Sequence, residues 1–287
     1  MLRLFTVIIS KLIRTISPED FLFQEEERKN ILRKLKFFTG SGRDKLHLLL
    51  DFDRTLTKSK NELGENVTTW EILRVHLPQE AQKEYQQFYK KYRRLETENK
   101  MAVSDAIIWW ERILNLFQEN ELKWLDIAKD VEERIPIRPC AKELFEICEK
   151  KNIPTIIISA GIKDIIELWC QRFEISPTII LFTNLTFSSE GYMNGWDKDS
   201  LIHVLNKKEK GHKEVEKIKL KRPNTILVGD SLDDASMIEG GENVLRIAVY
   251  EPRKDDKIKK VKEFTERFNL VIKDGTFRPV REILSLF

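Results

Sequence analysis

Asp51 and Asp53 stand two residues apart, directly after the apolar run Leu48-Leu49-Leu50, and Thr55 follows two positions on. Burial out of water strengthens the repulsion between like charges, so an apolar segment ending this way needs an offsetting partner. A metal cation is the simplest one. Two further apolar runs end in comparable chemistry. One leads into Ser159-Ala160-Gly161, a hydroxyl followed by small residues that let backbone N–H groups approach an anion. The other leads into Gly229-Asp230-Ser231-Leu232-Asp233-Asp234. Carboxylates gathered in this way suit Mg²⁺, which takes carboxylates, waters and the oxygens of a substrate phosphate.

These residues meet only if their strands lie side by side, because ligand sites in open parallel sheets form beyond the carboxyl ends of the strands. Short apolar runs at 46–53, 155–160, 179–184, 225–230 and 245–250, with a weaker one at 270–274, read as buried parallel strands. Helical patterns between them, at 140–151 and 164–173, complete a strand–helix alternation. That pattern predicts an α/β fold, a doubly wound parallel sheet with helices on both faces. Ser17-Pro18-Glu19-Asp20 carries a capping Ser, a Pro and two acids, and predicts a helix running toward Gly40-Ser41-Gly42. The interval between 53 and 155 is too long for a crossover connection. Its part from 57 to 134 is charged, helical in pattern and free of glycine after Gly64. It reads as a helical cap inserted into the sheet domain. The expected division is 1–56 for the N-terminal helices and first strand, 57–136 for the cap and 137–287 for the rest of the core.

Bulk composition sets limits on partners. The 287 residues carry 50 basic and 47 acidic side chains, a net charge of +3 that offers no global field for nucleic acid. The densest basic stretch, from Lys207 to Arg222, is broken by Glu209, Glu214 and Glu216 and reads mostly as a solvated helix face. Cys140, Cys148 and Cys170 form no metal-ligand spacing, so free buried thiols in a reducing compartment are expected. The sequons at Asn66 and Asn184 carry little weight in such a compartment. The N-terminal run MLRLFTVIISKLIRT is interrupted by Lys11, well short of the ~18 residues of a membrane span, and no small-residue cleavage site follows. An amphipathic helix packed on the domain is the expectation, in a cytoplasmic protein whose oligomeric state the sequence leaves open.

The ordered set Asp-x-Asp-x-Thr, a strand-end Ser, a Lys and Gly-Asp-x-x-x-Asp resembles the motifs of the haloacid dehalogenase superfamily, spread here from Asp51 to Asp234. More narrowly, IISAGIKDII, LIHVLNK and ILVGDSLDDASM are similar to the cytosolic 5′-nucleotidase III family, the pyrimidine and 7-methylguanosine monophosphate nucleotidases. The resemblance runs from about residue 46 to the C-terminus and fades in the cap. It implies a Rossmann-like core and a Mg²⁺-dependent phosphomonoesterase. Asp51 would attack phosphorus to form an aspartyl-phosphate. Asp53 would protonate the leaving oxygen and later deprotonate water, with Thr55 helping to hold Asp53 and the loop. Asp51, Asp230 and the backbone carbonyl of Asp53 would hold Mg²⁺. Asp234, rather than its neighbour Asp233, would bind the metal or its waters. Ser159 and the N–H groups of Ala160 and Gly161 would contact phosphate, aided by the helix beginning near Lys163. The phosphoryl oxygens also need a lysine. Spacing leaves Lys163, Lys198, Lys207 and Lys208 open, and the resemblance points to Lys207.

Substrate choice falls to the cap. It holds Trp70, Tyr85, Phe88, Tyr89, Tyr92, Trp109, Trp110 and Trp124, with Glu96 and Glu98 nearby in sequence. Rings beside a carboxylate suit a nucleobase, stacking on its face and accepting from its edge, and a cationic base gains further. Any single ring reads better as helix packing, and the group as a whole as a base-binding wall. The leading expectation is hydrolysis of nucleoside 5′-monophosphates, with Glu96, Trp109 and Trp110 at the base. Alternatives are a phosphatase of another small ester such as phosphoserine, a nucleoside phosphotransferase, and a catalytically silent phosphate-binding scaffold. No nucleic-acid partner and no membrane span are expected.

Overall fold

Six of the apolar runs become strands of one seven-stranded sheet in the computed structural model, which describes residues 15–98, 100–251 and 258–287. The chain enters through β1 (Phe21–Leu22), α1 (Arg28–Ser41) and β2 (Leu46–Leu50). The insertion follows as α2 (Thr69–Arg74), α3 (Gln79–Thr97), α4 (Val103–Glu119) and α5 (Trp124–Arg134). Then come α6 (Ala141–Lys150), β3 (Thr155–Ile162), α7 (Lys163–Arg172) and β4 (Ile179–Thr183), and a hairpin of β5 (Leu185–Phe187) and β6 (Met193–Trp196). The chain closes with α8 (Lys213–Lys221), β7 (Asn224–Gly229), β8 (Val244–Val249), α9 (Ile258–Arg267), β9 (Leu270–Ile272) and α10 (Arg278–Leu284). The amphipathic helix expected at the N-terminus falls on residues 1–14, outside the described residues.

The strand order is β1-β9-β8-β7-β2-β3-β4, all parallel except the β1–β9 pair. Reading outward from β2, the chain lays down β3 and β4 on one side, then β7, β8 and β9 on the other. The order reverses between β2 and β7, and a crevice opens beyond the carboxyl ends of strands at such a point. Both strands are buried along their whole length, which explains their near-continuous apolar sequence. His47 is an exception on β2. Its ring lies between the Arg222 carbonyl at 2.7 Å and the Thr225 hydroxyl at 3.2 Å, and burial lowers its pKa to about 4.

The helix expected to start at Ser17 does not form there. Ser17 Oγ accepts from the Glu19 N–H and caps only a turn, and the next residues pair with the sheet edge, Phe21 opposite Ile272. Burial of Phe21 and the edge ladder outweigh the local cap signal, and α1 begins only at Arg28. The hairpin β5–β6 was absent from the sequence reading. It leaves the sheet to clasp the insertion, with Met193 N–H donating to the Leu122 carbonyl and Trp124 N–H to the Gly191 carbonyl. In α8 only Val215 is buried, so that part of the basic stretch is a solvated face; Lys207, outside the helix, is buried.

Candidate active site

Three strand ends converge at the reversal point. Beyond β2, Phe52 is fully buried with its ring edge-on to Trp169 at 5.0 Å, and it anchors the loop in the core. The residues on either side, Asp51 and Asp53, take different partners. Asp51 Oδ2 accepts from the Thr55 hydroxyl at 2.8 Å, and its Oδ1 accepts from Lys207 Nζ. Asp53 is held from the cap: Thr69, the first residue of α2, donates its N–H at 2.9 Å and its hydroxyl at 2.8 Å to the two carboxylate oxygens. Thr55 therefore holds Asp51, not Asp53. The reason is the tight turn Phe52–Leu56, in which the Thr55 N–H donates to the Phe52 carbonyl and the side chain folds back over Asp51.

Burial raises the carboxyl of Asp53 to about 6, more than the Thr69 bonds lower it. A carboxyl with that value can hold a proton and give it up near neutrality. Burial likewise raises Asp51 and, more strongly, Asp230, and Asp234 adds repulsion to both. Lys207 shows the opposite balance. Burial works against its charge, but Asp234 and Asp51 hold its pKa above the ordinary value, so it stays a cation. Its Nζ donates to Asp234 Oδ1 at 2.8 Å as well as to Asp51. Two of the other candidate lysines lie elsewhere: Lys163 pairs with Glu167 and lies over Phe182, and Lys198 lies over Trp196.

Beyond β7, Asp234 turns back toward the sheet, where its Oδ2 accepts from the N–H groups of Asp230 and Ser231 at 3.0 and 2.9 Å. Gly229 permits this approach, since a Cβ there would lie 2.4 Å from that of Asp234. Carboxylate oxygens of Asp51, Asp230 and Asp234 come within 4.8 Å of one another. No described residue donates to the Asp230 side chain, so a half-buried carboxylate faces two others with no hydrogen-bonded counter-charge of its own. That donor set fits a hard divalent cation. The carboxylate of Asp53, committed to Thr69, lies outside this group.

In the irregular carboxyl end of β3, where its pairing with β4 shifts register after Ile158, Ser159 is buried and its Oγ accepts from the Gly161 N–H at 3.0 Å, leaving its own proton to donate. The Gly161 N–H is thus engaged within the strand end itself. A Cβ on Gly161 would meet Thr69 Oγ1 at 2.6 Å, Ser159 Oγ at 2.9 Å and Asp53 Oδ2 at 3.2 Å, so three polar groups crowd onto one glycine. The carbonyl of Ala160 faces the cap and accepts from the indole N–H of Trp70 at 3.0 Å and of Trp110 at 3.5 Å.

The cap aromatics divide into two groups. Tyr92 stacks on Trp109 at 5.8 Å, and Trp109 meets Trp110 edge-on at 4.5 Å, so these rings adjoin the Ala160 loop. Glu96, one helical turn after Tyr92, pairs with Arg93 at 2.6 Å. Burial raises its carboxyl, with Asp233 repelling it, so it lies near the mouth of the acidic cleft. Tyr85 and Phe117 pack together in the cap interior, and Trp124 packs on Phe187 of the hairpin. Glu98 is tied to Arg94 and Lys100 on the surface.

Sequence reasoning also missed two residues. Thr69 had no signal beyond its place at a helix start. Arg138 is fully buried and donates to the carbonyls of Arg54, Thr55, Thr57 and Gly275 while pairing with Glu251 at 2.7 Å, so it pins the loop that carries Asp51 and Asp53. An Arg between two prolines gave no hint of that duty.

This sheet order, with acids at the ends of β2 and β7, a lysine between them and an inserted cap, defines a haloacid dehalogenase-type phosphatase fold. Cytosolic 5′-nucleotidase IIIB bound to cytidine superposes with a TM-score of 0.81 over 97% of this chain and 96% of that one, at 22% identity. A substrate-bound phosphoserine phosphatase superposes at 0.55, with 20% identity, over 84% of this chain and 97% of that one. The sequence model of pyrimidine 5′-nucleotidase (UMPH-1) matches residues 54–287, and the chain belongs to that family of phosphoric monoester hydrolases. The 7-methylguanosine phosphate-specific 5′-nucleotidase A of Xenopus laevis is 28% identical over 268 residues, 88% of this chain and 91% of that protein. The human 7-methylguanosine phosphate-specific 5′-nucleotidase is 28% identical over 261 residues, 85% of each.

Proposed function

We propose that this enzyme hydrolyses nucleoside 5′-monophosphates through an aspartyl-phosphate on Asp51. The observation that carries the reading is Lys207, which reaches from a separate segment to both Asp51 and Asp234. In the reaction Asp51 attacks phosphorus, and Lys207 and the Ser159 hydroxyl hold the phosphoryl oxygens. Asp53, protonated and fixed by Thr69, donates its proton to the departing 5′-oxygen. It then takes a proton from the water that splits the acyl phosphate. Asp51, Asp230 and Asp234 would hold Mg²⁺, which when bound supplies counter-charge to the carboxylates and the phosphoryl group. Residues 57–136, joined by the β5–β6 hairpin, act as the cap. There Trp109 and Trp110 form a base wall, and Glu96 accepts hydrogen bonds from the base edge.

Nucleotide substrates are favoured by the names of the relatives, which specify 7-methylguanosine phosphate, and by the cytidine in the superposed nucleotidase. That nucleotidase is called cytosolic. The same compartment suits this chain, whose Cys148 and Cys170 thiols are free and pushed by burial to about 12, far from reactivity. Among the described residues no helix is long and apolar enough to cross a membrane. The test is phosphate release from CMP, UMP, 7-methyl-GMP, phosphoserine and p-nitrophenyl phosphate, each with Mg²⁺ and with EDTA. Nucleotides should lead, and EDTA should abolish turnover reversibly. Preference for phosphoserine would move the substrate class, and full activity in EDTA would sink the metal assignment.

A further inference from the structure

Arg54 lies between Asp53 and Thr55, and neither the phosphoryl chemistry nor the fold accounts for its side chain. Its φ is +64°, in the left-handed region where glycine is the unstrained residue. The backbone is held there from both sides, its N–H donating to Thr57 Oγ1 at 2.9 Å and its carbonyl accepting from Arg138. A glycine would meet those demands at lower cost, so the guanidinium itself needs a purpose.

That guanidinium makes no hydrogen bond or ion pair with a described residue, and its buried Nε lacks any partner. Yet its charge reaches the carboxyls of Asp53, Asp230 and Glu96, acting to lower each. Arginine beside carboxylates ordinarily forms a fork with one of them. Here Asp53 is engaged with Thr69 and Glu96 with Arg93, and the Asp230 carboxylate makes no fork with Arg54 either. The free fork is therefore left between the proton donor and the cap acid. In the proposed mechanism Asp53 gives its proton to the leaving oxygen, so a free fork beside Asp53 is where the leaving group would be met.

We propose that Arg54 is a specificity-determining residue that binds the nucleoside half of the substrate, its N–H groups donating to acceptor oxygens of the sugar or base. The inference rests on the nucleotidase reading above. A fork with several donors in fixed geometry favours leaving groups rich in acceptors over simple alkyl or aryl alcohols.

The test compares wild type, Arg54→Met and Arg54→Lys on CMP, 7-methyl-GMP and p-nitrophenyl phosphate with Mg²⁺ present. It adds the affinity for free cytidine and 7-methylguanosine by calorimetry, which also serves a variant too slow to assay. Arg54→Met should lower the ratio of kcat/KM on nucleotide to that on p-nitrophenyl phosphate by about tenfold or more. Nucleoside affinity should fall in the same proportion, and Arg54→Lys should recover part of both. Equal losses on all substrates, with nucleoside affinity unchanged, would overturn the inference and place Arg54 on the phosphate or in the loop's support. A wild type without preference for nucleotides overturns the nucleotidase reading and takes this inference with it. A preference that Arg54→Met retains overturns this inference alone.

Discussion

The strand ends and the cap meet across one cleft but are built on opposite plans. At the strand ends polar groups satisfy one another: Asp51 with Thr55 and Lys207, Asp234 with Lys207 and two backbone N–H groups. In the cap the large rings mostly satisfy one another, as in the Tyr92–Trp109–Trp110 run and the Tyr85–Phe117 pair. In the proposed reaction the first plan fixes charges that every phosphate ester would meet. The second makes a shaped apolar surface that can change without disturbing those charges. Under the proposed function, chemistry and selection of substrate are thus separable, except where a cap residue touches a catalytic one.

The largest effect should come from the strand ends. Asp51→Asn should abolish turnover on every ester, because a neutral amide is a poor nucleophile, and beryllofluoride should then label nothing. An adduct mapped to a residue other than Asp51 in the wild type would reverse the assigned roles. Asp53→Asn leaves the nucleophile in place and removes the proton donor, so a loss of about 10²–10⁴-fold in kcat is expected. The loss should be smaller for p-nitrophenyl phosphate, whose leaving group needs little protonation.

A smaller effect distinguishes the cap. Trp109→Ala should raise KM for nucleotides by the equivalent of about 1–3 kcal/mol, the scale of one base–aromatic stack, with less change on p-nitrophenyl phosphate. Equal losses on both, with a lower Tm, would make the ring a packing residue and weaken the contrast between the two regions.

The smallest effect is on stability. The carboxyl of Asp53 titrates near 6 when folded, above its ordinary value of 3.8. The folded state therefore keeps a proton that the unfolded chain releases, and this contribution to stability is present below about 4 and lost as pH rises to about 6. His47, depressed to about 4 from 6.5, acts in the opposite direction over much of the same range. A difference measurement isolates the acid: without metal, Tm of Asp53→Asn minus that of wild type should climb between pH 4 and 6. A flat difference would mean that Asp53 is ionised throughout and cannot serve as the acid.

The contrast also explains what could be read in advance. Asp51, Ser159, Asp230 and Asp234 were legible because each lies at or just past the carboxyl end of a buried strand, and parallel strands bring their ends together whatever intervenes in sequence. Lys207 was legible only by resemblance, since no periodicity marks a buried lysine in a loop. The cap offered aromatic residues without a direction. Which ring faces the cleft depends on how α3 and α4 pack, and their composition alone does not determine it. The antiparallel edge strand β1 and the hairpin were missed for a related reason. Both are short and depend on partners distant in sequence, Ile272 for Phe21 and Leu122 for Met193.

The grip of Thr69 on Asp53 bears on how such an enzyme can be reshaped. Exchange of caps is an attractive route to new specificities when the inserted segment is a detachable module. Here the segment's first helical residue supplies both hydrogen bonds to Asp53, the proposed proton donor, and two of its indoles are fastened to the carbonyl beside Ser159. A transplanted cap lacking an equivalent threonine would leave the acid without these donors and ionising at a higher pH. Grafts should therefore begin after α2, at the turn before Gln79, so that the recipient keeps its own proton chemistry while acquiring a new wall.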